Sequence, residues 1–293
     1  MAINLASKYA KKIATGFTHA SYVAGKYSTD YSFEGVRSIN IWTPTTVALS
    51  DYNRAASSGR FGALTEMQDT LQTLTMTQEK AFSISIDKAN NSDQMMMKRA
   101  GRMMSLQIAE QVVPVMDKYA LKTWSDKAGT MEVVGSLTKT NIVEKVLNAA
   151  AALDDEQVPD TGRILYIKAN EYNKIRLSNE FVNLPQLGAG AIRKGDVGDL
   201  ALIRVVKVPS SFLPEDVPFL LLHKSAVLRP VKLKTARILK DDKDVDGWIL
   251  QGHWYYDAFV LDAKKKGVYT ALAAARTTQS ESGGSDTSGD DTE

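Results

Sequence analysis

ANNSDQMMMKRAGRMMSLQIAEQVVPVMDKYALKTW runs from Ala89 to Trp124. Met96, Ala100, Met103, Met104, Ile108, Val112, Val115 and Tyr119 recur in it at three- and four-residue spacing and form one apolar stripe. Lys98, Arg99, Arg102, Glu110, Asp117 and Lys118 mostly fall away from that stripe. The spacing predicts a helix over Gln94–Thr123, on the order of 45 Å long at 1.5 Å per residue. An ordinary globular helix has about a dozen residues. Asn91 or Ser92 is placed to cap the first amides, and Gln94 three residues after Asn91 approximates a capping box. Pro114 removes the amide bond back to Glu110 and is expected to bend the helix, since the stripe continues beyond it. Gly101 lowers helix propensity by about 1 kcal/mol relative to Ala. Gly101 and Pro114 thus mark two soft points. A long helix with one apolar stripe needs something long to lie on; a bundle helix whose methionines fill core gaps is the alternative.

Composition bounds the rest. The chain has 293 residues, and 44% hydrophobic content suffices for one large or two modest cores. A net charge of +2 selects no partner by itself. The ends differ from the middle: residues 1–29 hold Lys8, Lys11, Lys12 and Lys26 with no acid, while the tail TTQSESGGSDTSGDDTE from Thr277 is acidic and lacks large apolar residues. That tail is expected to be disordered. No apolar run approaches the eighteen or so residues that span a bilayer, so no membrane partner is expected. Cysteine is absent, which removes disulfides, thiol catalysis and cysteine-ligated metal.

Two strand patterns precede the helix. GVRSINIWTP (Gly35–Pro44) alternates, and LQTLTMTQEKAFSISID (Leu71–Asp87) reads as one long strand of period two. The polar, glycine-bearing DYNRAASSGRFGAL lies between them, so the three together read as a long hairpin with a mobile tip. Thr, Ser and Gln occupy both faces of the second strand. Such a hairpin is marginal alone and needs to lie on something else. The charged Asp51, Arg54 and Arg60 sit on a tip with almost no apolar content and are expected to find partners on adjacent chains.

After the helix the pattern shortens. TNIVEKVLNAAAAL reads as a helix capped by Thr140, RILYIKA as a strand, NEYNKIRLS as a short helix, LIRVVKVP as a strand, and VPFLLLHKSAV as a strand with a helical turn. Together they make an α/β lobe. A long loop, Ser178–Asp199, interrupts it, and loops of that length are usually functional. VKLKTARILK and GWILQGHWYYDAFVLD close the fold as strands, with Trp248, Leu250, Trp254, Tyr256 and Val260 on one face.

No catalytic constellation emerges. GAGAIRKGDVG has glycines and basic residues without the phosphate-loop spacing. His19, His223 and His253 lie in three separate segments, which suggests no metal or general-base site. His253 and Asp257 share a strand face and read as a hydrogen-bonded structural pair. DDEQVPD and DDKDVDG read as solvated turns, not cation loops. No cofactor is implied, and an enzyme using the Ser178–Asp199 loop as a lid has no chemistry to support it.

The order of elements resembles the major capsid proteins of tailed bacteriophages, with the α+β Hong Kong 97-like fold. DYNR, FSISID leading into the helix, VVPVMDKYAL at its end, and GWILQGHWYYDAFVLDAKKKGVYT carry the resemblance, which spans Ala2 to Thr270. It implies an N-terminal arm (1–34), an extended hairpin loop (35–87), a peripheral domain with the spine helix (88–132 and 229–272), an axial α/β domain (133–228) and a disordered acidic tail (273–293). It implies a shell subunit that assembles in the host cytoplasm into hexamers and pentamers of a virion capsid. An encapsulin-type compartment shell is the alternative. Expected partners are further copies of the chain, a portal protein, packaged double-stranded DNA bound non-specifically on the inner face, and possible scaffolding and decoration proteins. Under this reading the hairpin tip (Asp51, Tyr52, Arg54, Arg60, Phe61) meets neighbouring subunits and Lys8, Lys11 and Lys12 form an inner-face basic arm. Gly101 and Pro114 let the spine bend, and Leu184, Arg193 and Lys194 belong to an axial loop.

Overall fold

The computed structural model describes residues 20–33, 37–55, 57–88, 91, 99–178, 196–200, 203–242 and 245–276. A continuous helical spine runs from Ala100 to Asp126 in three parts: α1 (Ala100–Gln107), a π turn (Ile108–Val112) and α2 (Val113–Asp126). Arg99 is extended and stands ahead of α1 with no side-chain cap bond. Ser92, Gln94 and Met96, where the helix is expected to begin, lie outside the described residues. At the π turn the Val113 N–H donates to the Ile108 carbonyl, one residue further back than in an α-helix. Pro114, which has no N–H to continue the ladder, follows directly.

The π turn moves the apolar face. A straight helix carrying Met104, Ile108 and Val112 inward would bury Val115 next. Val115 is instead 47% exposed, while Met116, Ala120, Leu121 and Trp124 are buried. One extra residue per turn shifts the stripe by one position. The same shift takes Asp117, expected outside, to full burial.

The spine lies on a three-stranded antiparallel sheet, β10 (Val231–Asp242), β11 (Val245–Tyr256) and β3 (Gln78–Asp87), in that order. Met104 packs with Ile86 and Leu250, and Met116 with Trp254 and Tyr256. Gly252 is required there: a Cβ would come within 2.3 Å of the Trp254 ring, which stacks on Phe82. The single strand expected over Leu71–Asp87 is two. β1 (Ser38–Thr45) pairs antiparallel with β2 (Gln68–Thr75) as a separate hairpin, and β3 pairs with β11. The break falls at buried Met76 and at Thr77, whose N–H and hydroxyl both donate to Asp257. Gln72 ties the hairpin down, donating to the Val260 carbonyl and accepting from the Asp262 N–H.

The α/β lobe is a six-stranded mixed sheet, ordered β4 (Thr130–Val133), β13 (Val268–Leu272), β8 (Phe219–His223), β5 (Arg163–Lys168), β7 (Ile203–Val208) and β6 (Asp196–Leu200). Alternate residues feed two cores. Ile164, Tyr166, Leu220, Leu222 and Val268 meet Leu121 and Trp124 of α2. Leu165, Ile167, Phe219, Leu221 and Tyr269 meet α3 (Ile142–Asp155) and α4 (Ala169–Arg176). With both faces covered, β5 and β8 are apolar runs without alternation. Three details depart from the sequence reading. Asn141, not Thr140, caps α3. The end of the expected Ser178–Asp199 loop is strand from Asp196, which runs on to Leu200. The chain's return to this sheet through β13 was not anticipated. The sheet of this lobe therefore also takes in β4 and β13.

The register shift across the π turn has a direct test. Met116→Ala should lower the unfolding free energy by about 2–5 kcal/mol, and Val115→Ser by no more than about 0.5 kcal/mol. Urea denaturation of the two variants measures both, and a straight-helix register gives the opposite ranking.

Candidate assembly surfaces

The hairpin tip carries contacts of its own. Asn53 N–H donates to the Arg60 carbonyl (3.0 Å), Ser50 Oγ to the Phe61 carbonyl (2.9 Å), and the Tyr52 and Phe61 rings meet edge to face, 5.0 Å apart. Asp51, Tyr52, Arg54, Arg60 and Phe61 are thereby brought together at one exposed end. The tip is not poor in apolar groups, as its polar sequence suggested. Leu49 and Leu64 are fully exposed, Phe61 is 84% exposed, and Trp42, Val47, Met67 and Leu71 add to the same hairpin. Among the described residues nothing covers Leu49, Phe61 or Leu64. Exposed apolar surface on this scale marks an interaction site.

The arm's inner end is held at the spine. Asp117 accepts from Ser21 Oγ and Tyr22 N–H, both at 2.8 Å, and pairs with Arg229 at 3.3 Å. Val23 inserts into the lobe core. Lys26, expected among the basic arm's charges, is buried and donates to the Tyr22 carbonyl. Lys8, Lys11 and Lys12 lie outside the described residues, as do Leu184, Arg193 and Lys194. Gly101 is exposed and its carbonyl accepts from Ser105 Oγ, while Pro114 directly follows the π turn.

His253 and Asp257 do not pair with each other. His253 contacts Glu79 across the sheet at 2.7 Å. Asp257 is buried and accepts from Thr77, Tyr119 (2.9 Å) and Ala258 N–H (2.7 Å). Burial, with that hydrogen bond next, raises the Tyr119 pKa. DDEQVPD is likewise not a free turn, because it wraps the buried Arg163. The guanidinium meets Asp154 (2.6 Å), Asp160 (3.1 Å) and the Ala150, Val158 and Pro159 carbonyls. Sequence reasoning missed Asp117, Arg163 and Arg229. Their only signal was a charge inside an otherwise apolar pattern.

His223 has the geometry of a fixed neutral imidazole. Nε2 lies 2.8 Å from the Thr161 carbonyl, so it carries the proton, and Nδ1 accepts from Ser225. Burial lowers its pKa; the Thr161 bond opposes this, and Lys224, Lys264 and Arg163 reinforce it. Among the described residues no group of three or more His, Cys, Asp and Glu side chains is placed to hold a metal ion, and no helix is long and apolar enough to cross a membrane.

No family model and no curated relative matches the sequence. Solved structures do match its shape. A capsid structure of cyanophage P-SCSP1u superimposes with a TM-score of 0.75 at 14% identity, covering 93% of this chain and 94% of that one. A chain from Mycobacterium phage Che8 gives 0.69 at 18%, covering 92% and 98%. The mature capsid of bacteriophage PhiM1 gives 0.70 at 12%, covering 92% of each. The chain has the fold of phage capsid subunits. The three matches cover 92–93% of its length.

Two measurements test the anchors. Asp117→Ala leaves Arg229 buried without its carboxylate and should cost about 3–5 kcal/mol. For His223 the folded pKa is depressed, so the unfolded chain binds the extra proton as pH falls below about 6.5. Stability should hold above that pH and decline below it. His223→Gln should remove that part of the decline in denaturation curves recorded between about pH 7 and pH 5.

Proposed function

We propose that this chain is the major capsid protein of a tailed bacteriophage, a structural subunit that assembles with its own copies into the shell. The observation that carries the reading is the exposed apolar hairpin on a chain whose whole length follows capsid subunits of known structure. The encapsulin-type alternative is not favoured by these matches. In this reading the hairpin is the extended loop, the spine with the β10–β11–β3 sheet is the peripheral domain, and the six-stranded lobe is the axial domain. Leu49, Tyr52, Phe61 and Leu64, with Asp51, Arg54 and Arg60 around them, meet a neighbouring subunit. Lys8, Lys11 and Lys12 face the packaged DNA or a scaffold from the inner side, and Leu184, Arg193 and Lys194 lie near the capsomer axis. A portal protein and a separate scaffolding protein are the expected further partners, and assembly takes place in the host cytoplasm. The chemistry on view is recognition between copies, not catalysis.

Replacing Leu49 and Leu64 with Ser, or Arg54 and Arg60 with Glu, should abolish or severely impair particle formation. The isolated subunit should keep its unfolding free energy to within about 1 kcal/mol, as exposed sites do. Negative-stain microscopy and sedimentation report particles, and urea denaturation reports the subunit. Normal particles from both variants would remove the hairpin from the interface.

A further inference from the structure

The sheet that carries the spine ends in two outer strands, β10 and β3, and they are built differently. β10 carries Lys232, Lys234, Arg237 and Lys240, and its register with β11 shifts near both ends, between Val231 and Leu233 and between Lys240 and Asp242. Charges and bulges are the devices that keep an edge from adding another strand. In β3 the middle has neither. The strand pairs with β11 along its whole length, Gln78–Asp87, without a shift. From Ala81 to Ile86 it reads AFSISI, with no charge, proline or glycine. Among the described residues no strand and no backbone bond meets the outer side of that run.

A groove opens beneath the same edge. Phe82, Val112, Met116 and Trp254 line it, with Lys80 on β3 and Val115 on the spine. Val115 is exposed, as the π turn leaves it, and so is Ile84, the next residue after Phe82 on the spine-facing side of β3. An unpaired strand and an uncovered apolar groove therefore lie side by side. A partner that covers both brings a strand with apolar side chains on one face, and an identical strand does so.

We propose that the outer edge of β3 is an interface between two copies of this chain, in which β3 pairs antiparallel with β3 of the second copy about a twofold axis normal to the sheet. This rests on the reading that copies assemble, and adds a contact to that of the hairpin. A closed pair of this kind uses one patch twice. It keeps both spines on the same side of one continuous sheet, so odd residues oppose odd ones and even residues even ones. Like charges directly opposed are destabilising. Centring the pair on Ser83 sets Glu79 against Asp87, and centring it on Ile84 sets Lys80 against Lys88. Centring it on Phe82 pairs Gln78–Ile86 with its own copy and opposes no like charges. Ile84 of one copy then lies opposite Lys80 of the other, at the mouth of the groove that holds Val115, and Ala81 lies opposite Ser83.

The chain has no cysteine, so introduced ones report contacts without background. Ala81→Cys and Ser83→Cys proteins, both changed at exposed positions on the face away from the spine, are mixed in equal amounts, assembled, oxidised with diamide and read by mass spectrometry. Opposed residues have Cα atoms about 4.5–5.5 Å apart, within disulfide reach, whereas diagonal pairs are about 7–8 Å apart. The mixed 81–83 disulfide should therefore exceed the 81–81 and 83–83 products severalfold. Ile84→Lys, added to both proteins, meets Lys80 of the second copy with a like charge and should cut that yield severalfold. Ile84→Glu meets it with the opposite charge and should not. Particles without the mixed disulfide would overturn the proposal and leave the edge to another partner. A dominant 81–81 or 83–83 product, or equal yields from Ile84→Lys and Ile84→Glu, would overturn the pairing centred on Phe82. The mixed disulfide without particles would keep the pairing and remove the shell reading, and the absence of both would overturn both.

Discussion

One helix face serves two hydrophobic cores, and the rest of the fold is arranged around that constraint. The α1 half of the spine buries Met104 against the three-stranded sheet, and the α2 half buries Leu121 and Trp124 against the six-stranded one. Met116, past the π turn, still packs on Trp254 and Tyr256 of the three-stranded sheet. The π turn at Ile108–Val112 shifts the buried stripe by one residue, and Pro114 suits it because the α-helical ladder is already interrupted there. Without that shift Val115 would compete with Met116 for the core.

Once the spine is set, buried charge locks the chain around it. Asp117 gathers Ser21, Tyr22 and Arg229, so one carboxylate joins the incoming arm, the helix and the start of β10. Asp257 does the same for the β2–β3 break and the end of β11. Arg163 closes the α3–β5 connection from within. A buried pair contributes little net stability compared with apolar packing, yet losing one member is costly. Such groups therefore select one arrangement of segments that lie far apart in sequence.

The sequence made the spine, the hairpin, the lobe's helices and strands and the closing strands readable, because each rests on local periodicity. It concealed what depends on partners distant along the chain. The break at Met76–Thr77 is invisible in a run of alternating residues, since Asp257 causes it from 180 positions away. The stripe was assigned to Val115 because periodicity assumes a constant turn, and the π turn is not constant. β13 escaped notice because five residues behind a lysine run carry little pattern. At the hairpin tip the charges and glycines drew the eye, and the scattered Leu49, Phe61 and Leu64 became a surface only once the loop was folded.

The hairpin also explains how a marginal element persists. A two-stranded ribbon has little to bury, and here its base is held by Gln72 and by the packing of Ile41, Leu74 and Met76 against Leu228, Phe259 and Leu261. Beyond that clamp the described residues are exposed, Thr43 excepted. Fully burying one large apolar side chain yields about 1.5–3 kcal/mol, so covering Leu49, Phe61 and Leu64 on a neighbour supplies several kcal/mol per contact. That is comparable to the net stability of a small domain, about 5–15 kcal/mol, but it is available only where another chain covers the tip. Under the proposed reading the chain folds on its spine and keeps this apolar surface for contact between copies. Substitutions at the tip and in the core should therefore act on separate equilibria, coupled only through the clamp at the hairpin's base.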